Sequence, residues 1–137
     1  MLNPDQIDRL LVVMAHPDDV DFGSAGTMAW LTSQGVEITY CLVTDGDAGG
    51  SDRSISRPEM AALRREEQTK AAACVGVERL VFLGYPDGRV EPTLELRRDI
   101  SRVIREVRPQ VVIGQSPERN LDRIFASHPD HLAAGEA

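Results

Sequence analysis

The sequence predicts an α/β fold, a Rossmann-like three-layer domain with a mostly parallel sheet. Short apolar runs alternate with longer helical segments along the 137 residues, which is the pattern of βαβ units with parallel strands. The length suits one domain with a real core and is too short for two. Right-handed crossovers in a Rossmann-like sheet then predict the strand order 3-2-1-4, with the reversal between strands 1 and 4.

The four predicted strands centre on apolar runs and comprise residues 10–15, 36–43, 79–83 and 110–114. The first contains Leu10-Leu11-Val12-Val13, and Pro17 ends it because proline lacks the N–H that a sheet ladder needs. Apolar side chains at successive positions indicate burial on both faces, as in a parallel sheet.

The predicted helices comprise residues 24–34, 58–75 and 92–107, and a last helix begins at Pro129. Ser24 is a suitable N-cap and Gly35 a suitable C-terminal stop for the first helix. The polar, Gly-rich segment 44–57 is predicted to be a loop, and loops of this length are usually functional or mobile. Further loops are predicted at 84–91 and 115–127.

Composition excludes several classes of protein. The net charge of -7, from 22 acidic and 15 basic residues, argues against a nucleic-acid partner. No apolar run is long enough to span a membrane, and the N-terminus has no secretory pattern. Cys41 and Cys74 are predicted to be small buried residues rather than a disulfide pair. A cytoplasmic location is therefore expected.

Two polar motifs follow strands 1 and 4. The first is His16-Pro17-Asp18-Asp19, and the second is Ser127-His128-Pro129-Asp130-His131. In the predicted strand order these two loops lie side by side at the switch point, where open α/β sheets bind ligands. The topology therefore brings all three histidines of the chain into one crevice.

The residue types predict a catalytic zinc site. Such sites use three protein ligands and one open position, and the natural set here is His16, Asp19 and His131. Asp18 lies beside the metal without binding it and can take a proton from water as a general base. His128 can stabilise an oxyanion as a cation and then protonate a leaving amine.

Asp130 has two interpretations. It can orient one of the histidines that flank it, or it can be a solvated carboxylate in the first turn of a helix.

Five groups of segments form a pattern that covers nearly the whole chain from Leu10. They are Ala15-His16-Pro17-Asp18-Asp19 with Gly26-Thr27, Arg64 with Glu67, Gly84-Tyr85-Pro86-Asp87-Gly88, Val107-Arg108-Pro109 with Val111-Val112-Ile113, and His128-Pro129-Asp130-His131. Together these segments resemble the PIG-L/LmbE family of metal-dependent de-N-acetylases. The two His/Asp motifs at this separation are highly specific, whereas the Arg-x-x-Glu helix alone is not.

The resemblance implies a Rossmann-like fold and zinc-dependent hydrolysis of an N-acyl group, usually acetyl on a glucosamine-type sugar. It implies metal ligands at His16, Asp19 and His131. It also implies a base at Asp18 and an oxyanion or acid role for His128. It also implies that Arg64 and Asp87 contact substrate hydroxyls or orient loops. A surface salt bridge for Arg64 and a simple turn position for Asp87 remain alternatives.

The chain departs from the family pattern in three ways. Val20 stands where the family usually has Glu after the Asp pair, and Ala126 stands where some members have a Tyr that assists the oxyanion. Family domains also run well beyond the second motif, whereas this chain stops six residues after His131. We therefore expect residues 1–137 to form a single deacetylase domain that is incomplete at its C-terminal side, with strand 4 as an exposed edge.

The leading functional hypothesis is a zinc-dependent hydrolase that removes an N-acetyl group from a small amino-sugar conjugate. Two alternatives are a Rossmann-like module that binds a sugar or nucleotide without chemistry, and an inactive relative that binds only metal. No Gly-x-Gly-x-x-Gly or Walker A motif occurs, which weakens the first alternative. The ligand types also accept other transition metals, and a homo-oligomer remains open.

Overall fold

The computed structural model describes residues 6–52 and 54–137. Residues 1–5, used above to assess a secretory signal, and Arg53, within the predicted loop 44–57, lie outside the described residues. The strands are β1 (Arg9–Met14), β2 (Glu37–Thr44), β3 (Arg79–Tyr85) and β4 (Val111–Gly114). The helices are α1 (Asp19–Gly23), α2 (Ala25–Ser33), α3 (Arg57–Cys74), α4 (Leu94–Val107) and α5 (Pro129–Glu136), with a 3-10 turn at Ile124–Ser127.

The four strands form one parallel sheet in the order β3-β2-β1-β4, which confirms the predicted order. Strand β1 is central, and its Val13 is paired with Cys41 of β2 on one side and with Gly114 of β4 on the other. Because parallel strands end at the same edge, the loops after β1 and β4 are neighbours.

Side chains of β1 alternate between two apolar layers. Leu10 and Val12 face one layer with Met28 and Leu31 of α2, and Leu11 faces the other with helix α4. These β1 side chains are fully buried, and each contributes about 1.5–3 kcal/mol by leaving water. The predicted three-layer arrangement is therefore confirmed, and it fixes the end of β1 rigidly.

Helix α1 was not predicted. Its five residues follow Asp18, whose backbone is left-handed with φ of 81°, and its only buried residue is Val20. The segment has too few residues for a helical period to show in the sequence. Tertiary packing of Val20 therefore forms a turn where the sequence indicated only a loop.

The observed ends of the other helices and strands differ from the predicted ends by at most two residues. Helix α4 begins at Leu94 rather than Pro92, because the Thr93 hydroxyl accepts a hydrogen bond of 3.2 Å from the Leu96 amide and caps the helix there. Cys41 is buried as predicted, but Cys74 is exposed, so the prediction was wrong for Cys74. None of the helices in the described ranges has the length and apolar character needed to cross a membrane.

Candidate metal centre

The candidate centre is assembled from the carboxyl ends of three strands. His16 to Asp19 follow β1, Asp87 lies in the turn after β3, and α5 begins directly after His128. Residues 115 positions apart in the chain, His16 and His131, come within hydrogen-bond distance. The pairing of β1 with β4 brings together the segments that follow these two strands.

The side chains of His16, Asp19 and His131 approach one another closely. Nδ1 of His16 lies 3.2 Å from Nε2 of His131, and that Nε2 lies 3.1 Å from Oδ1 of Asp19. Nδ1 of His16 lies 3.5 Å from Oδ2 of Asp19. A tetrahedral zinc ion with bonds of about 2.0 Å has ligand–ligand edges of about 3.3 Å. The observed contacts have similar lengths, but Asp19 uses a different oxygen for each histidine, Oδ1 for His131 and Oδ2 for His16. The three predicted ligands are therefore close enough together to be candidates for one ion.

The other nitrogen of His16 faces two carboxylates. Nε2 lies 3.1 Å from Oδ2 of Asp130 and 3.2 Å from Oδ1 of Asp87. Carboxylates accept hydrogen bonds, so Nε2 carries the proton. This contact assigns the tautomer that leaves Nδ1 free for a metal.

Asp130 is fully buried, which excludes the interpretation as a solvated carboxylate. Its oxygens accept hydrogen bonds from the backbone N–H groups of Gly88, at 2.7 Å, and Val90, at 3.1 Å. Its carboxylate contacts His16 rather than the histidines that flank it in the sequence. Packing of α5 against the loop after β3 decides this partner, and no local pattern reports it.

Asp87 is also buried. Besides His16, it accepts a hydrogen bond of 2.8 Å from the Ala48 amide. It therefore joins the loop after β2 to the centre, in addition to occupying a turn.

Asp18 lies two residues after His16, and its side chain contacts α3. Its left-handed backbone points the side chain toward α3, where Nη2 of Arg64 donates to Oδ2 at 2.8 Å and to the Pro17 carbonyl at 3.0 Å. The Asp18 amide donates to Oε1 of Gln68. Its side chain is 43% exposed, so the carboxylate is held in place yet open to water.

His128 caps the start of α5. Its Nδ1 accepts a hydrogen bond of 3.2 Å from the Asp130 amide, so a neutral ring carries its proton on Nε2. The residue is exposed, and its ring centroid lies 4.9 Å from that of His16. Nitrogens of His16, His128 and His131 also come within 4.8 Å of one another, so a set of three histidines is a second geometric option for the ligands.

Burial and nearby charged groups have opposite effects on the pKa values of His16 and Asp19. Burial alone would lower the pKa of His16, but hydrogen bonds to Asp19 and Asp130 and the charges of Asp19 and Asp87 raise it to about 9. Burial alone would raise the pKa of Asp19, but hydrogen bonds from His131 and His16 hold it well below its usual range. The charged forms of His16 and Asp19 thus stabilise each other in the metal-free centre.

Two cavities adjoin the centre. One of about 290 Å³ is lined by Asp18, Arg64, Asp87 and His128. The other, of about 1070 Å³, reaches Asp19 and His131 and is bordered by Phe22, which is 90% exposed. The first cavity is large enough for one sugar ring.

Two amide side chains that contact the centre were not predicted. Gln115 donates a hydrogen bond of 2.9 Å from Nε2 to Oδ2 of Asp19, and Gln68 accepts from the amide of Asp18. Gln115 directly follows the fourth predicted strand, and this position at the switch point was the available signal. Gln68 lies in a helix with no pattern that distinguishes it.

The fold and the His/Asp centre define a class of α/β protein with a candidate metal site at the switch point of a parallel sheet. The family model described as PIG-L, GlcNAc-PI de-N-acetylase, matches residues 11–137. The chain belongs to the PIG-L family, which confirms the resemblance seen in the sequence.

Two relatives and one solved structure illustrate the similarity. The chain is 36% identical over 129 residues to a diacetylchitobiose deacetylase of Thermococcus kodakarensis, covering 94% of this chain and 47% of that protein. It is 35% identical over 134 residues to a probable N-acetyl-alpha-D-glucosaminyl L-malate deacetylase 2 of Bacillus anthracis, covering 94% of this chain and 57% of that protein.

The solved structure is the N,N'-diacetylchitobiose deacetylase of Pyrococcus horikoshii. It superposes with a TM-score of 0.89 at 34% identity, covering 96% of this chain and 48% of that one. The chain thus spans about half the length of the relatives it matches.

Proposed function

We propose that this protein is a zinc-dependent N-deacetylase that hydrolyses the acetamido group of an amino sugar. The observation that carries the proposal is the mutual approach of His16, Asp19 and His131, whose facing polar atoms lie 3.1–3.5 Å apart. The relatives named as deacetylases of N-acetylated sugars support the same reaction and substrate class.

Histidine and carboxylate ligands suit zinc. When bound there, the ion supplies a Lewis acid that polarises the acetyl carbonyl and acidifies water. Asp87 and Asp130 hold the ring of His16 in the tautomer that can ligate. In this proposal residues 1–137 form one deacetylase-type domain.

Asp18 serves as the general base. Its carboxylate takes a proton from the water whose oxygen forms the new bond to the acetyl carbon. The Arg64 contact leaves Oδ1 of Asp18 for this proton while fixing Oδ2. When the carbon–nitrogen bond breaks, the proton passes to the leaving amine, and acetate is released.

His128 stabilises the oxyanion. Because its Nδ1 accepts from the Asp130 amide, Nε2–H is the group available to donate to the developing negative oxygen. The sequence suggested a cationic ring that also protonates the amine. A cation would carry a proton on Nδ1 and lose the cap contact, so the neutral donor fits the observed geometry better.

The smaller cavity is the proposed sugar site, because Asp18 and His128 both line it. Arg64 and Asp87 line it too and offer a donor and an acceptor near sugar hydroxyls. The exposed ring of Phe22 borders the larger cavity, where an attached group of the conjugate can pack against it.

The experiment measures bound zinc and acetate release on a panel comprising N-acetylglucosamine, diacetylchitobiose and N-acetylglucosaminyl malate. We expect one ion per chain and acetate release from at least one compound. Asp18→Asn should lower kcat at least 100-fold while the ion stays bound. Asp8→Asn, the same change at the opposite end of β1, should have no effect. Zinc and sugar binding without any acetate release would favour the binding-module alternative and contradict the proposal.

A further inference from the structure

One side chain outside both His/Asp motifs connects the metal centre to β4. Gln115 follows β4, and its Oε1 accepts a hydrogen bond of 3.0 Å from the amide of Ala15. Its Nε2 donates a hydrogen bond of 2.9 Å to Oδ2 of Asp19. A single amide therefore ties the residue before His16 to a metal ligand.

The two oxygens of Asp19 are used differently. Oδ2 accepts from Gln115 and also from the His16 amide, at 2.8 Å. Oδ1 faces Nε2 of His131 at 3.1 Å. Two N–H donors occupy the lone pairs of Oδ2, so Oδ1 is the oxygen left for a cation.

The difference between the two oxygens determines how many coordination positions of an ion the Asp19 carboxylate can fill. A carboxylate that can turn freely can bind a cation through both oxygens, as in calcium sites. A second bond from Asp19 would use the position that a zinc hydrolase keeps open for water and substrate. A fixed Oδ2 prevents this.

We propose that Gln115 is a positioning residue that makes Asp19 a monodentate ligand through Oδ1. It thereby keeps the coordination number low and the reactive position open. The proposal rests on the zinc site proposed above, and it adds a residue that belongs to neither His/Asp motif.

The chain contains a matched control for the structural part of this role. Gln110, just before β4, makes the same pair of contacts at the other end of the strand. Its Oε1 accepts from the Arg9 amide at 2.8 Å, and its Nε2 donates to Oδ2 of Asp8 at 2.9 Å. Both glutamines tie β4 to β1, but only Gln115 contacts a ligand.

The experiment compares the parent protein with Gln115→Met and Gln110→Met, each of which removes both contacts and keeps the side-chain length. Zinc affinity is measured by competition with a chelator. The Co²⁺-loaded proteins are compared by visible absorption and X-ray absorption, which report coordination number. Thermal unfolding of the metal-free proteins measures the shared loss of the β1–β4 tie.

We expect similar losses of stability in the two variants. Zinc affinity should fall about 10–100-fold in Gln115→Met and stay within about twofold of the parent in Gln110→Met. The cobalt spectrum of Gln115→Met should shift toward a higher coordination number.

Gln115→Glu covers the case in which Gln115→Met does not fold. It keeps an oxygen for the Ala15 amide but has no N–H for Asp19, so the cobalt spectrum should shift in the same direction. Parent-like affinity and spectra in both Gln115 variants would overturn the inference. A parent protein that binds neither Zn²⁺ nor Co²⁺ would instead overturn the proposed zinc site, and the two failures are thus distinguished.

Discussion

Nε2 of His16 lies 3.1 Å from Oδ2 of Asp130, and Nδ1 of the same ring lies 3.2 Å from Nε2 of His131. The buried carboxylate thus fixes one side of the ring, and the other side is presented to the proposed metal. The partner of His16 comes from α5, in the far half of the sequence. The His16 ring is therefore oriented only when α5 is packed against the end of the sheet.

Replacement of Asp130 should therefore affect both stability and metal binding. Asp130→Ala leaves the Gly88 amide and the buried Val90 amide without their acceptor, and we expect a loss of about 1–3 kcal/mol in the free energy of unfolding. Zinc affinity should fall about 10–100-fold. Urea unfolding in chelator and metal titration measure the two effects. Asp8→Ala, which removes only an exposed contact with Gln110, should leave zinc affinity unchanged and lower stability by less than Asp130→Ala does.

The assignment of ligands can be tested by single substitutions. His16→Ala and His131→Ala should each lose the ion, because two remaining ligands hold zinc poorly. His128→Ala and Asp18→Asn should keep it, since the proposed ligand set of His16, Asp19 and His131 includes neither residue. Metal content after dialysis is the measurement. Loss of the ion from His128→Ala would transfer the site to the three histidines.

Arg64 is expected to act through Asp18. Arg64→Met removes the hydrogen bonds to Oδ2 of Asp18 and to the Pro17 carbonyl, which frees the base to leave its position. We expect kcat to fall about 10–100-fold with little change in bound zinc. Arg65→Met is the control, because the neighbouring Arg65 pairs with Asp45 instead. A change confined to KM would indicate that Arg64 binds substrate and does not position the base.

The metal-free protein should lose stability as the pH rises from about 6.5 to about 9. The pKa of His16 is raised from 6.5 to about 9 in the folded protein, so the folded state binds more protons than the unfolded state in that range. The stabilisation from protonated His16 is complete below pH 6.5 and disappears as the pH passes 9. Urea unfolding in chelator at several pH values measures it. The His16→Gln variant should show a flatter dependence, and equal slopes for both proteins would contradict the assignment.

Much of the fold could be predicted from local sequence patterns. The apolar runs placed all four strands, and the alternation with helices together with crossover handedness gave the order β3-β2-β1-β4. Proximity of the two His/Asp motifs followed from that order. The short helix α1 could not be predicted, because five residues are too few to show a helical period. The exposure of Cys74 could not be predicted either, because the packing of α3 decides which of its faces is exposed.

The sequence by itself determined which residues can carry the chemistry and at which edge of the sheet they gather. Strand periodicity and residue type are local properties, and they suffice for that conclusion. Only the tertiary structure decided the partners: that Asp130 contacts His16, that Arg64 holds Asp18, and that Gln115 fixes one oxygen of Asp19. Each contact joins side chains from distant segments. Their directions depend on the packing of α3, α5 and β4 around β1, and no single segment encodes that packing.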